Sequence, residues 1–313
     1  MVIAMALLLL AAVVAVATPS LLGRASWPDR EPVLALWAWQ CAVAAVLLCC
    51  GLAMALSAAS AWESVRSGVF APAPHGVVEA YGLGSGGSWS AALAAVLAAG
   101  GAWTAVNFVR EVRHARSVRR RQRAELLVRA PLLPGEEEQR GDRLVVLEGE
   151  RPDAWWLPGG TTPRLVITTG ALRRLRKRQL DAVLAHEQGH SRARHHWLLY
   201  CAGALASGFP QVPVFAAFRD QVHRLCELAA DDAASRRFGR MTFATALLEL
   251  NEHRGVFGPC PPQLAQVPQR VDRLLAPGPR LTPGRRLRMT ACAALVPAVP
   301  LLVAFVPGLS TLA

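Results

Sequence analysis

Four stretches of the chain carry no charged residue at all: 1–22, 32–60, 88–109 and 289–313. Each is longer than the roughly 20 helical residues that cross about 30 Å of hydrocarbon, so the pattern predicts four membrane spans. Helices apolar on every side must otherwise be wrapped in protein, and a chain of 313 residues is too short to wrap four of them. No Lys or Arg precedes the first run, so the positive leader of a cleaved signal peptide is missing, and 1–22 is expected to remain as a span.

Between the third and fourth runs the pattern changes. Residues 143–148 ("RLVVLE") and 164–169 ("RLVITT") are rich in β-branched residues, which predicts two short strands; "AWWLPGG" at 154–160 sets aromatics ahead of a Pro-Gly-Gly turn. Gly170 ends the second strand, and helical periodicity follows from Ala171, with Leu180, Val183 and Leu184 forming an apolar stripe that leads into His186. Residues 255–284 are rich in Pro and Gly and read as a loop holding a short amphipathic helix near 271–275. The expected fold is an α-helical integral membrane protein of about four spans carrying an α+β domain. Residues 1–110 form the N-terminal membrane region with three spans, 111–288 the soluble domain, and 289–313 the last span.

Charge orients this arrangement. Seven arginines and one glutamate lie between Arg110 and Arg123, directly after the third span, and Arg280, Arg285, Arg286 and Arg288 precede the fourth. Positive flanks stay in the cytoplasm, which puts 111–288 inside, the Gly/Pro/Ser-rich loop 61–87 outside, and both termini outside a plasma (inner) membrane crossed several times. The net charge of +12 is accounted for by these flanks and their anionic headgroups, so direct nucleic-acid binding is not expected. None of the seven cysteines forms a Cys-x-x-Cys pair, which argues against a disulfide framework or a thiolate metal site.

The candidate chemistry sits in "AVLAHEQGHSRARHHW", residues 182–197. His186 and His190 are four apart, so a helix puts both on one face about 40° from each other, where they can share a metal ion. Glu187 lies beside that face and can serve as the catalytic base without binding the ion. Two residues compete for a third ligand. His196 has the ten-residue spacing of the metzincins, but Ala193 stands where that class turns on glycine. Glu227, in "CELAADDAA", has Asp231 one helical turn behind it on the same face, placed to orient a ligating histidine; His223, a turn earlier, is a candidate for polarising the transition state. Residues 197–218 are also uncharged, yet a single crossing there would part His190 from Glu227, and two crossings need about 40 residues where 36 intervene. The run must therefore dip and return, or lie at the interface, with Pro210 and Pro213 breaking the helix.

With these residues in view, "AWWLPGG…RLVITTGALRRL…QLDAVLAHEQGH…CELAADDAA" resembles the integral-membrane gluzincin peptidases, and specifically the BlaR/MecR-type signal-transducing metallopeptidases. The resemblance covers about residues 140–250 by motif and the whole chain by order of spans. It implies one zinc ion per chain, bound by His186, His190 and Glu227, with Glu187 as general base and Asp231 in support. It also implies a zinc metalloendopeptidase, a hydrolase that cleaves a cytoplasmic protein such as a BlaI/MecI-like winged-helix repressor, or itself, in response to a signal. A homo-oligomer is compatible with it. Those relatives carry an extracellular penicillin-binding sensor, which needs a Ser-x-x-Lys nucleophile. Arg174 stands three residues before Lys177, the only lysine, so β-lactam sensing is not carried over.

Two other readings stand beside it: an HtpX/CAAX-protease-like peptidase of membrane quality control, and a membrane signal transducer without catalysis. For the enzyme, the substrate is expected to lie extended along an edge strand at 164–169. His223, Arg236 and His253 are candidates for stabilising the oxyanion.

Overall fold

The computed structural model describes residues 2–70, 88–129, 143–150, 152–157, 164–251 and 266–309, with Gly76, Ala80 and Tyr81. It divides into two compact units, one of Met1–Val109, Cys201–Gln221 and Leu281–Ala313, the other of Arg110–Tyr200 and Val222–Arg280.

The first unit is helical and apolar. Helices α1 (Val2–Gly23), α2 (Pro32–Ala61) and the apolar part of α4 (Ser88–Arg129) are each long and apolar enough to cross a membrane; a short helix, α3 (Glu63–Phe70), follows α2. Leu7, Trp39 and Cys49 are buried while Leu9, Val16 and Trp89 point outward. Apolar side chains exposed along a whole helix suit contact with lipid rather than water. Near the end of the chain, α11 (Pro283–Leu295) and α12 (Ala298–Leu309) have the length and apolarity of a span only as a pair, bent by 50°. Pro297 at the break supplies no N–H to continue the helix.

The run 197–218 turns back on itself. Helix α7 (His195–Gly208) ends at a short turn, and α8 (Pro213–Phe238) runs on from it. The turn closes with Val212 N–H donating to the Phe209 carbonyl at 3.1 Å. The indole of Trp103 on α4 donates to the free carbonyl of Gly208 at the end of α7, at 3.0 Å.

The second unit holds a three-stranded sheet, β1 (Arg143–Leu147), β2 (Ala154–Leu157) and β3 (Arg164–Thr168), in the order β1-β3-β2. β3 pairs parallel with β1, Val166 opposite Val145, and antiparallel with β2, Val166 opposite Trp155. This overturns the expectation that 164–169 is an edge: β3 is the inner strand, with Val166 and Ile167 wholly buried. The same β-branched run that marked it as a strand suits the position buried on both flanks. "AWWL", read from the sequence as the approach to a turn, is itself a strand and borders the sheet; the Pro-Gly-Gly that follows lies outside the described residues.

Short contacts then lead from sheet to site. The Thr168 hydroxyl accepts from Ala171 N–H at 3.2 Å and caps α5 (Thr169–Arg174). Gly170 N–H donates to the Gly149 carbonyl at 2.8 Å, and a Cβ at Gly170 would lie 2.2 Å from the Glu150 carbonyl oxygen, so only glycine fits. α6 (Lys177–Arg192) opens with the Gln179 side chain accepting from Arg176 N–H at 2.7 Å. Its buried Ala182 and Val183 pack into the cores that α9 (Arg240–Asn251) and α10 (Val267–Leu275) complete.

Candidate metal centre

α6 supplies His186, Glu187 and His190, and α8 supplies Glu227 and Asp231. The two helices come close at Gly189, where a Cβ would sit 3.4 Å from the Ala230 Cα. A small residue between the two histidines therefore lets the acidic helix lie against them. His186 Nε2 is 3.3 Å from His190 Nε2 and 3.6 Å from Glu227 Oε2, and His190 Nε2 is 3.4 Å from Glu227 Oε1. A tetrahedral ion with 2.0–2.1 Å bonds holds its ligand atoms about 3.3 Å apart. Two imidazoles and a carboxylate at this spacing fit zinc in both geometry and donor type, and these three residues form the group among the described residues that could hold a metal ion.

Each imidazole is backed on its far side. His186 Nδ1 lies 3.1 Å from Asp231 Oδ1, close but off the line of a hydrogen bond. His190 Nδ1 lies 3.0 Å from His195 Nδ1. Phe243 stacks on the His186 ring at 5.3 Å and 21°. His195 reaches its place because Arg194, at φ +51°, turns the chain between α6 and α7 through the left-handed region. His196, the candidate third ligand at metzincin spacing, is not in the cluster; its ring packs on Trp197 and Tyr200.

A second residue escaped the sequence reading. Arg270 on α10 is buried and donates to both oxygens of Asp231, Nε to Oδ2 at 2.8 Å and Nη2 to Oδ1 at 2.5 Å, while Nη1 lies 2.8 Å from Glu227 Oε2. Asp232, rotated away from the site, pairs with Arg273 at 2.8 Å and Arg280 at 3.3 Å. Glu187 is half-buried, and its charge is among those that hold Arg270 protonated. His223 and Arg236 are exposed on α8 and are not among the clustered ligands; His253 lies outside the described residues.

The charges are tightly coupled. Burial alone would keep His186 neutral, but Asp231 and Glu227 outweigh it and lift the imidazolium to about 10. Burial and the charge of His186 push His190 down to about 4. Burial works against ionising Glu227 and Asp231, yet His186 and Arg270 hold both carboxyls below their usual range. In the metal-free site these charges favour a protonated His186 beside a neutral His190.

Residues 120–224, about a third of the chain, match the model of peptidase family M48, which supports a metallopeptidase. The match takes in the helix with His186, Glu187 and His190 and stops three residues short of Glu227, so the third ligand rests on geometry alone. No curated protein and no solved structure matches the chain significantly.

Proposed function

We propose that the chain is a multi-pass plasma-membrane zinc endopeptidase that cleaves a cytoplasmic protein, a winged-helix repressor in a BlaR/MecR-like pathway. The observation that carries this reading is the clustering of His186, His190 and Glu227, whose ligand atoms, one from each residue and brought in from two helices, all lie within 4.8 Å of one another. The arginine flanks at 110–123 and 280–288 support a cytoplasmic peptidase unit and external termini. The repressor as substrate follows from the resemblance in motif and span order.

His186, His190 and Glu227 would hold a zinc ion, which would supply Lewis-acid chemistry that makes water a nucleophile near neutral pH. Glu187, one position along α6 from His186, takes the proton of the attacking water and passes it to the leaving amine. Asp231 keeps the His186 ring turned toward the ion. The substrate backbone pairs with β2, the strand that borders the sheet and packs against α6.

The test is cleavage by the full-length protein in nanodiscs, with a winged-helix repressor and an unfolded membrane protein as substrates. Wild type should cut the repressor, and a chelator should stop it. Cutting of the unfolded protein alone would move the assignment to quality control, and zinc binding without cleavage of either would leave a non-catalytic transducer.

A further inference from the structure

Asp231 is a wholly buried carboxylate that no metal ligated by His186, His190 and Glu227 would touch. A charge buried like this must be compensated by a partner. Arg270, 39 residues further along the chain, reaches both of its oxygens and one oxygen of Glu227. We propose that Arg270 is a positioning residue of the metal centre: its guanidinium fixes Asp231 behind His186 and occupies Glu227 Oε2, leaving Oε1 for the ion.

The inference rests on the zinc reading above and adds what that reading lacks. A peptidase zinc has three protein ligands and an open position; a glutamate free to use both oxygens could close it. Oε2 lies 3.6 Å from His186 Nε2 but is held by Arg270 at 2.8 Å, and Oε1, 3.4 Å from His190 Nε2, is the oxygen without that partner. Charge points the same way, since two carboxylates would cancel the ion's two charges and Arg270 restores one. Three oxygens on two side chains need a planar fork of donors, which arginine has and lysine lacks. The segment bearing Arg270 is itself fixed. Val267, Val271 and Leu274 of α10 are buried with Phe243, which stacks on His186.

The experiment uses the full-length protein in detergent, with zinc affinity read by competition against a chromophoric chelator and coordination read from the visible spectrum of the cobalt(II) form. Arg270→Lys keeps the charge and loses the fork. It should fold, bind zinc about 10–100-fold more weakly, and show an altered cobalt spectrum. The loss should shrink when Asp231→Asn is already present. If Arg270→Lys does not fold, the double variant Asp231→Asn/Arg270→Gln exchanges the ion pair for a neutral hydrogen-bonded pair and should show the same weakening. Arg273→Lys, on the same helix but outside the site, should leave affinity unchanged. Zinc affinity within twofold of wild type with an unchanged cobalt spectrum would overturn the proposal. So would tighter binding, or an equal loss in Arg273→Lys. A wild type that binds no zinc, or a His186→Ala variant that keeps it, would sink the zinc reading instead.

Discussion

His195 Nδ1 lies 3.0 Å from His190 Nδ1, on the side of the ring away from Glu227. When His190 binds metal through Nε2 its proton is on Nδ1, and His195 is the acceptor that fixes this tautomer and the ring's direction. His195→Ala should therefore weaken zinc binding about 10–100-fold without unfolding the protein. His196→Ala, one residue on, should leave it unchanged. Equal zinc affinity in both variants would reduce His195 to packing.

Glu187 lies between the ligands in sequence and is not one of them. Glu187→Gln should keep full zinc and lose about 10²–10⁴ in the rate of cleavage. Rate and metal content measured on the same preparation decide this, and near wild-type cleavage would remove Glu187 from the mechanism.

The Asp231–Arg270 pair has a stability consequence separate from catalysis. Asp231→Ala leaves a buried guanidinium without its main partner, which typically costs about 3–5 kcal/mol. Chemical unfolding in detergent should show that loss for Asp231→Ala, and a smaller one for Asp232→Ala, whose partners Arg273 and Arg280 are less buried. Similar stabilities for the two variants would mean that the pair is solvated.

The proton on His186 makes metal uptake depend on pH. Its pKa is raised from an ordinary 6.5 to about 10, so in the metal-free protein its pairing stabilises the fold fully below 6.5, and this contribution fades as pH rises toward 10. His190 has the opposite sign: lowered to about 4, it is neutral in the fold and costs stability as pH falls from 6.5 toward 4. Zinc must displace the His186 proton, so apparent affinity should rise about tenfold per pH unit between roughly 7 and 9, with one proton released per ion. Calorimetry in buffers of different ionisation heat counts that proton. Zinc affinity independent of pH across this range would show that His186 is already neutral.

What could be read from the sequence followed from periodicity. The apolar runs marked the helices long and apolar enough to cross a membrane, the last of them only as a bent pair, and four-residue spacings placed His186 with His190 and Glu227 with Asp231 on single helix faces. The topological need to bring His190 and Glu227 together predicted that 197–218 returns, and α7 and α8 do so. Partners set by tertiary packing escaped. Arg270 sits in a Pro/Gly-rich stretch with no pattern linking it to Asp231. His195 was hidden by its neighbour, because the bend that selects it depends on a left-handed arginine rather than a glycine. Strand order escaped as well, since a β-branched run marks a strand without telling an inner one from an edge.

The chemistry of this site depends on which residues hold the metal. Zinc content of the purified full-length protein is the most direct measurement, taken on wild type, His186→Ala, Glu227→Ala and His196→Ala. One zinc per chain in wild type and His196→Ala, with strong loss in His186→Ala and Glu227→Ala, is the expected result. Full zinc in Glu227→Ala together with loss in His196→Ala would contradict it.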